Sequence, residues 1–283
     1  MVWGRLSLEI VAILGVNPSY LNSLKMRPNR LLAEKIVYLH SLKVRDNYFS
    51  EHFGGTFFSM ENAQRIGTIR EEIEIIATTL REKAAMVTSL IYAADRVANT
   101  VVHYDAFHRS QDNRTPVSLK MPNISRHSTS NHEMYCQDSL ILAPKVSTEV
   151  AYLDPPYNSR QYSDAYHLLE NLASWEQPEV HGVAKKMDRS HLKSDFCGKN
   201  APTAFRDLIS ALECKLILVS YNNTSSSLDS RSNAAISDDE IMETLNSRGE
   251  VTIEEIAFNG FTAGKTKKRE HTERLFICKV IKS

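Results

Sequence analysis

The sequence predicts an α/β fold preceded by a helical part, and three observations carry that expectation. Long apolar stripes at helical spacing dominate residues 29–99, short apolar runs alternate with helical stretches after residue 133, and a polar, proline-bearing segment separates the two patterns. Alternating strands and helices imply a layered α/β arrangement with a largely parallel sheet. The expected division is a helical module over 1–115 and an α/β region over 116–283.

Each element has its own warrant. From Asn29 to Arg45, the residues Leu31, Leu32, Ile36, Leu39 and Leu42 recur at helical spacing. Ser59 suits the N-cap of a second helix, whose stripe runs Ile66, Ile69, Ile73, Ile76 and Leu80. A third helix is expected from about Lys83 to Asn99, and residues 109–133 read as a loop. Strands are expected over Glu133–Gln137, Glu149–Leu153, Lys215–Tyr221, Val251–Phe258 and Arg274–Val280, with helical stretches near 163–175, 202–213 and 238–247. The last two strands leave no room for a helix between them, so an antiparallel strand is expected at that end of the sheet.

Composition narrows the function classes. Lys plus Arg equals Asp plus Glu at 34 each, which excludes a protein that coats nucleic acid through overall basic charge. Any such contact must come from local patches. The four cysteines form no CxxC pair, so reduced thiols are expected rather than a zinc ribbon. Ten histidines include no HExxH spacing, so no metal site is expected, and His167 and His181 read as non-catalytic. The apolar run Leu6–Val16 contains Ser7 and Glu9 and is too short to span a bilayer. The chain is expected to be soluble and cytoplasmic, with no membrane partner.

One motif carries chemistry. The apolar run Val150-Ala151-Tyr152-Leu153 stops at Asp154-Pro155-Pro156-Tyr157. Prolines cannot continue a ladder, so the chain must leave the sheet here on a stiff backbone. Ligands bind at the C-terminal ends of strands in open α/β sheets. A carboxylate, a rigid carbonyl and an aromatic face at such a place suit a planar base that carries an amino group. That amine is a poor nucleophile because its lone pair is delocalised into the ring. Asp154 and the Pro155 carbonyl can each accept one amino hydrogen and so favour a lone pair aimed at a methyl donor. Tyr157 offers a stacking face for a base taken out of the duplex, worth roughly 1–3 kcal/mol. The competing reading is a plain strand-ending turn, since Asp-Pro is common turn chemistry. The continuation Asn158-Ser159-Arg160-Gln161-Tyr162 favours the functional one.

At this point the chain resembles the bacterial adenine-specific (N6) DNA methyltransferases that carry D-P-P-Y. The matching stretches are Phe58 to Ile66, Ala94-Asp95-Arg96-Val97-Ala98-Asn99-Thr100, Leu153 to Tyr162, and Ile217 to Asn223. The resemblance implies a Rossmann-like, S-adenosylmethionine-dependent methyltransferase sheet, mixed at its C-terminal strand, with a helical N-terminal or inserted module. It implies direct methyl transfer to adenine N6 in double-stranded DNA, in a restriction-modification setting. It also implies cofactor contacts from Asp154 and from Asp138, where an acid would accept a hydrogen bond from the cofactor's adenine amino group. Arg96 and Asn99 read as helix packing and capping and stay outside the catalytic set.

The resemblance breaks at the cofactor's glycine-rich loop. Neither His52-Phe53-Gly54-Gly55-Thr56 nor Phe258 to Gly264 has the F-x-G-x-G spacing after a strand. Three explanations stand open: a truncated product, an enzyme completed by a subunit carrying the missing loop, or a divergent N-terminus. Two basic stretches are candidates for phosphate contact, with Arg160 beside the motif as a third: Lys265, Lys267, Lys268 and Arg269, and the run Lys185-Lys186 through Lys193. Both stretches also read as solvated loops. The rival functions are methylation of RNA adenine or of cytosine N4, and a non-catalytic remnant that binds DNA.

Overall fold

The computed structural model describes residues 30–101, 103–109, 115–122, 133, 135–156, 158–222, 234–258 and 271–281. In chain order the elements are α1 (Arg30–His40), α2 (Tyr48–Phe53), α3 (Met60–Ile76), α4 (Leu80–Val97), α5 (Ser139–Leu142), β1 (Val150–Leu153), α6 (Tyr162–Ala165), α7 (His167–Ser174), α8 (Ala201–Ala211), β2 (Leu216–Asn222), α9 (Asp238–Asn246), β3 (Gly249–Phe258) and β4 (His271–Val280). They divide into two compact units. One comprises residues up to Cys136 together with Tyr162–Ser190, and the other Gln137–Gln161 together with His191–Ser283. This division falls beyond the composition change at 115/116, and the segment after the D-P-P motif joins the first unit.

The first unit is helical. Ser59 caps α3 by accepting a hydrogen bond from Asn62 N at 3.2 Å, as its position before the apolar stripe predicts. Leu80 is not the end of that stripe. It opens α4, because Thr79 caps a new helix through Glu82 N at 3.2 Å. Leu32, Leu39, Ile66, Ile73, Met86 and Leu90 are buried together with Leu168, Leu169 and Leu172 of α7. Phe49 stacks at 4.9 Å from Phe53 and 5.4 Å from Phe58 in the same core. The glycine pair Gly54-Gly55 makes the turn that follows α2. A Cβ on Gly54 would lie 2.5 Å from the Ser50 carbonyl, and Gly55 takes a φ of 71°. Asn99, buried, donates to the carbonyls of Thr56 and His108 at 3.0 and 2.8 Å, which accounts for it structurally.

The second unit is a sheet with helices. Among the described residues the strand order is β1-β2-β4-β3. Only β1 and β2 are parallel; β4 pairs antiparallel with both β2 and β3. The expectation of a largely parallel sheet therefore needs correcting: the β3–β4 hairpin folds β4 back between β2 and β3, so the antiparallel pairing takes the middle of the sheet. Ile217, Val219, Tyr221, Phe276 and Cys278 turn one face toward Phe205, Ile209, Ile241 and Leu245 of α8 and α9. The strand expected over Glu133–Gln137 is absent among the described residues of that stretch, which are irregular. A strand exists only where a neighbour completes its ladder, and apolar alternation alone cannot provide one. The four cysteines are free thiols, and no described helix is long and apolar enough to cross a membrane.

Candidate active site

The D-P-P motif begins where β1 ends. Leu153 pairs with Val219, so Asp154 sits one step past the last register pair, at the C-terminal end of the parallel pair β1–β2. That is the end at which open α/β sheets bind ligands. The strand stops here because Pro155 and Pro156 cannot extend the ladder. Asp154, Pro155 and Pro156 are half-buried. Tyr157 lies outside the described residues. Asn158 then closes a local turn, its Oδ1 accepting from Arg160 N at 3.0 Å. Arg160 is exposed.

Gln161 was not singled out by sequence, although it stands inside the motif's continuation. Its Nε2 donates to the Ser194 carbonyl at 3.0 Å and its Oε1 accepts from Ser194 N at 2.8 Å. No signal in the chain order pairs it with a residue so far downstream.

Asp138 is placed differently from its expected position at a strand end. It is exposed and caps the short helix α5, its Oδ1 accepting from Leu140 N at 2.7 Å. The expected basic contacts also change. Lys186 reaches Asp105 at 2.5 Å and Asp164 at 3.3 Å, and Arg189 pairs with Asp164 as well, so these two cations are engaged within the first unit. Burial pushes the Asp164 carboxyl up, but the Arg189 hydrogen bond and the Lys186 charge outweigh it and hold the group below its ordinary range. Lys265, Lys267, Lys268 and Arg269 lie outside the described residues. His167 is buried, with Nε2 2.9 Å from the Tyr104 carbonyl, and burial pulls its pKa down to about 4. His181 is exposed, its Nδ1 3.8 Å from Glu179. Among the described residues no group of His, Cys, Asp and Glu is arranged to hold a metal.

A cradle for the methionine part of a nucleotide-like cofactor needs glycine backbone open to a ligand beside a strand end. Gly54 and Gly55 are spent on the turn after α2, and Gly249 packs so closely on β4 that a Cβ would lie 1.9 Å from the Lys279 carbonyl. The described residues supply an acid and a carbonyl at the strand end, and they do not supply that cradle.

Comparison with known proteins defines the family. Modification methylase StsI of Streptococcus sanguinis is 34% identical over 205 residues, 68% of this chain and 31% of that protein. Type II methyltransferase M.NlaIII of Neisseria lactamica is 29% identical over 251 residues, 84% of this chain and 72% of that protein. Type II methyltransferase M.FokI of Planomicrobium okeanokoites is 33% identical over 201 residues, 67% of this chain and 30% of that protein. The chain thus spans about a third of the length of two of these relatives and nearly three quarters of the other. No solved structure matches it. The model of one family covers residues 19–224, including the whole D-P-P segment, and the chain belongs to that family, the D12 class N6 adenine-specific DNA methyltransferases.

Proposed function

We propose that this chain supplies the base-holding part of an adenine-specific DNA methyltransferase, which moves a methyl group from S-adenosylmethionine to adenine N6 in double-stranded DNA. The carrying observation is the placement of Asp154-Pro155-Pro156 at the C-terminal end of the parallel pair β1–β2, in a chain of this family. The Asp154 carboxylate and the Pro155 carbonyl accept the two amino hydrogens. That arrangement draws the nitrogen lone pair out of conjugation with the ring, and the Asp154 carboxylate can take the proton the amine sheds. Tyr157 stacks on the flipped base, and Arg160 with Lys265, Lys267, Lys268 and Arg269 meets phosphates. Family membership implies S-adenosylmethionine as the methyl donor. Asp138 is its proposed contact from this chain, once its capping bond to Leu140 is exchanged for the cofactor amine.

The glycine-rich cradle is proposed to come with a strand that pairs alongside β1, carried by a complementing segment or subunit. The two ends of the sheet among the described residues support this. The far strand β3 carries Glu250, Glu254 and Glu255 exposed, the charged dress of a protected edge. On β1, Val150 and Tyr152 are 47% and 60% exposed, with no charge among the strand's residues. Such a strand lacks the charges that protect an exposed edge.

The test is nucleoside analysis of duplex DNA incubated with S-adenosylmethionine and this chain, alone and with a polypeptide carrying strand-F-x-G-x-G. N6-methyladenine that disappears with Asp154→Ala supports the proposal. N4-methylcytosine, methylated RNA only, or a wild-type rate in the Asp154→Ala variant overturns it.

A further inference from the structure

We infer that Gln161 is a positioning residue that fixes the far end of the D-P-P loop by clamping it to the backbone of Ser194. This rests on the proposed reading of that loop as the amine-holding element. The near end of segment 154–161 is fixed by the β1–β2 ladder. The far end has no ladder. There the Gln161 side chain does what a peptide unit does in an antiparallel pair: it donates to and accepts from one residue, at 3.0 and 2.8 Å. The adjacent Arg160 carbonyl accepts from Cys197 Sγ at 3.4 Å, so two consecutive residues are tied to the same turn.

That turn is itself anchored. Ser194 Oγ accepts from Phe196 N at 3.3 Å and opens the single turn Asp195–Cys197, whose Phe196 and Cys197 side chains are buried. Phe196 belongs to the core beneath the sheet. Between the two anchors lie Pro155 and Pro156, with restricted backbone, and the Asn158 turn. Held at both ends, with two prolines restricting the backbone after Asp154, the Asp154 carboxylate and the Pro155 carbonyl keep one geometry before the base arrives. Such preorganisation matters because a displacement of about 1 Å at a reacting group can cost on the order of a hundredfold in rate. Only an amide of this length both donates and accepts here. Glutamate keeps the bond from Ser194 N and loses the one to Ser194 O; methionine keeps the volume and loses both.

The experiment is hydrogen–deuterium exchange by mass spectrometry on the full chain and its Gln161→Met and Gln161→Glu variants, with methyl-transfer kinetics in the presence of the polypeptide carrying strand-F-x-G-x-G alongside. Amides of residues 158–161 and 194–198 should exchange about tenfold faster in Gln161→Met, less so in Gln161→Glu, with β2 and β4 unchanged. In methyl transfer, kcat should fall while KM for DNA holds. Unchanged exchange at 158–161, or an equal rise across β2 and β4, overturns the inference. If Gln161→Met does not fold, Gln161→Glu decides by the same pattern. Exchange reads the clamp without any turnover. A local rise in a chain that methylates nothing even with that polypeptide would keep the clamp and sink the functional reading, and active enzyme with unmoved exchange would sink the clamp alone.

Discussion

Arg70 on α3 caps the end of α7: its Nε donates to the Leu172 carbonyl at 2.8 Å and its Nη2 to the Ala173 carbonyl at 3.0 Å. These carbonyls sit in the last turn of a helix, where intrahelical partners run out. The guanidinium is fully buried, pairs with Glu74, and lies 5.3 Å from the centroid of Trp175, the residue that leaves α7 with a φ of 58°. Arg70→Ala would strip partners from two buried carbonyls and from Glu74. The expected cost is about 3 kcal/mol, read as a lowered urea midpoint with unchanged slope. Arg70→Lys should recover little of it, because an ammonium cannot reproduce the planar fork.

Gly67 sits inside α3, where alanine is ordinarily preferred by up to about 1 kcal/mol. Here the order is expected to reverse. A Cβ at Gly67 would lie 1.9 Å from Asn47 Oδ1. The Asn47 side chain crosses α3 at this point, donating to the Gln64 carbonyl at 2.9 Å while accepting from Ser50 N at 3.0 Å to cap α2. Gly67→Ala should displace that cap and lower stability by roughly 1–2 kcal/mol, and a thermal melt that rises instead would refute it.

Two groups on α7 set opposite pH slopes. Burial holds His167 near pKa 4 against an ordinary 6.5, with the Tyr104 carbonyl working the other way. The unfolded chain then binds more protons between about 4 and 6.5, so this term raises stability as pH increases across that window. Burial pushes the Glu170 carboxyl from 4.5 up to about 7. The folded chain then binds more protons between those values, so this term lowers stability as pH rises and is fully lost above 7. Glu170→Gln removes the second slope. The variant should melt higher than wild type at pH 8 and alike at pH 5; equal melting at pH 8 would refute the assignment.

Asp164 holds the stretch 181–190 through Lys186 and Arg189. Asp164→Asn keeps the shape and removes the charge. Tryptic cleavage after Lys185 and Lys186 should then quicken roughly fivefold, more at low salt than at high, while the melting point changes little. Cleavage at the wild-type rate would mean that the Asp105–Lys186 pair alone fixes the stretch.

Much of the fold was legible because it rests on local chemistry. Ser59 before an apolar stripe makes a cap, and two prolines end β1 wherever that strand is placed. The abrupt end of β1 at Asp154-Pro155-Pro156 was legible for the same reason, since the acid and the two prolines are consecutive residues.

What the sequence left open depends on distant partners. Glu133–Gln137 alternates like a strand, but its described residues join no ladder, and Asp138 caps a helix. Leu168, Leu169 and Leu172 read the same whether they face a sheet or helices, and packing assigned them to the helical core. The charges of Lys186 and Arg189 suggested an open basic surface until Asp105 and Asp164 came within reach. The sequence by itself determined the long helices, the strands that found partners and the point where β1 stops, because backbone sterics and periodicity act within a few residues. Tertiary structure alone decided the strand order, the engaged cations and the Gln161 clamp, because each needs two residues far apart in the chain to meet within hydrogen-bond distance.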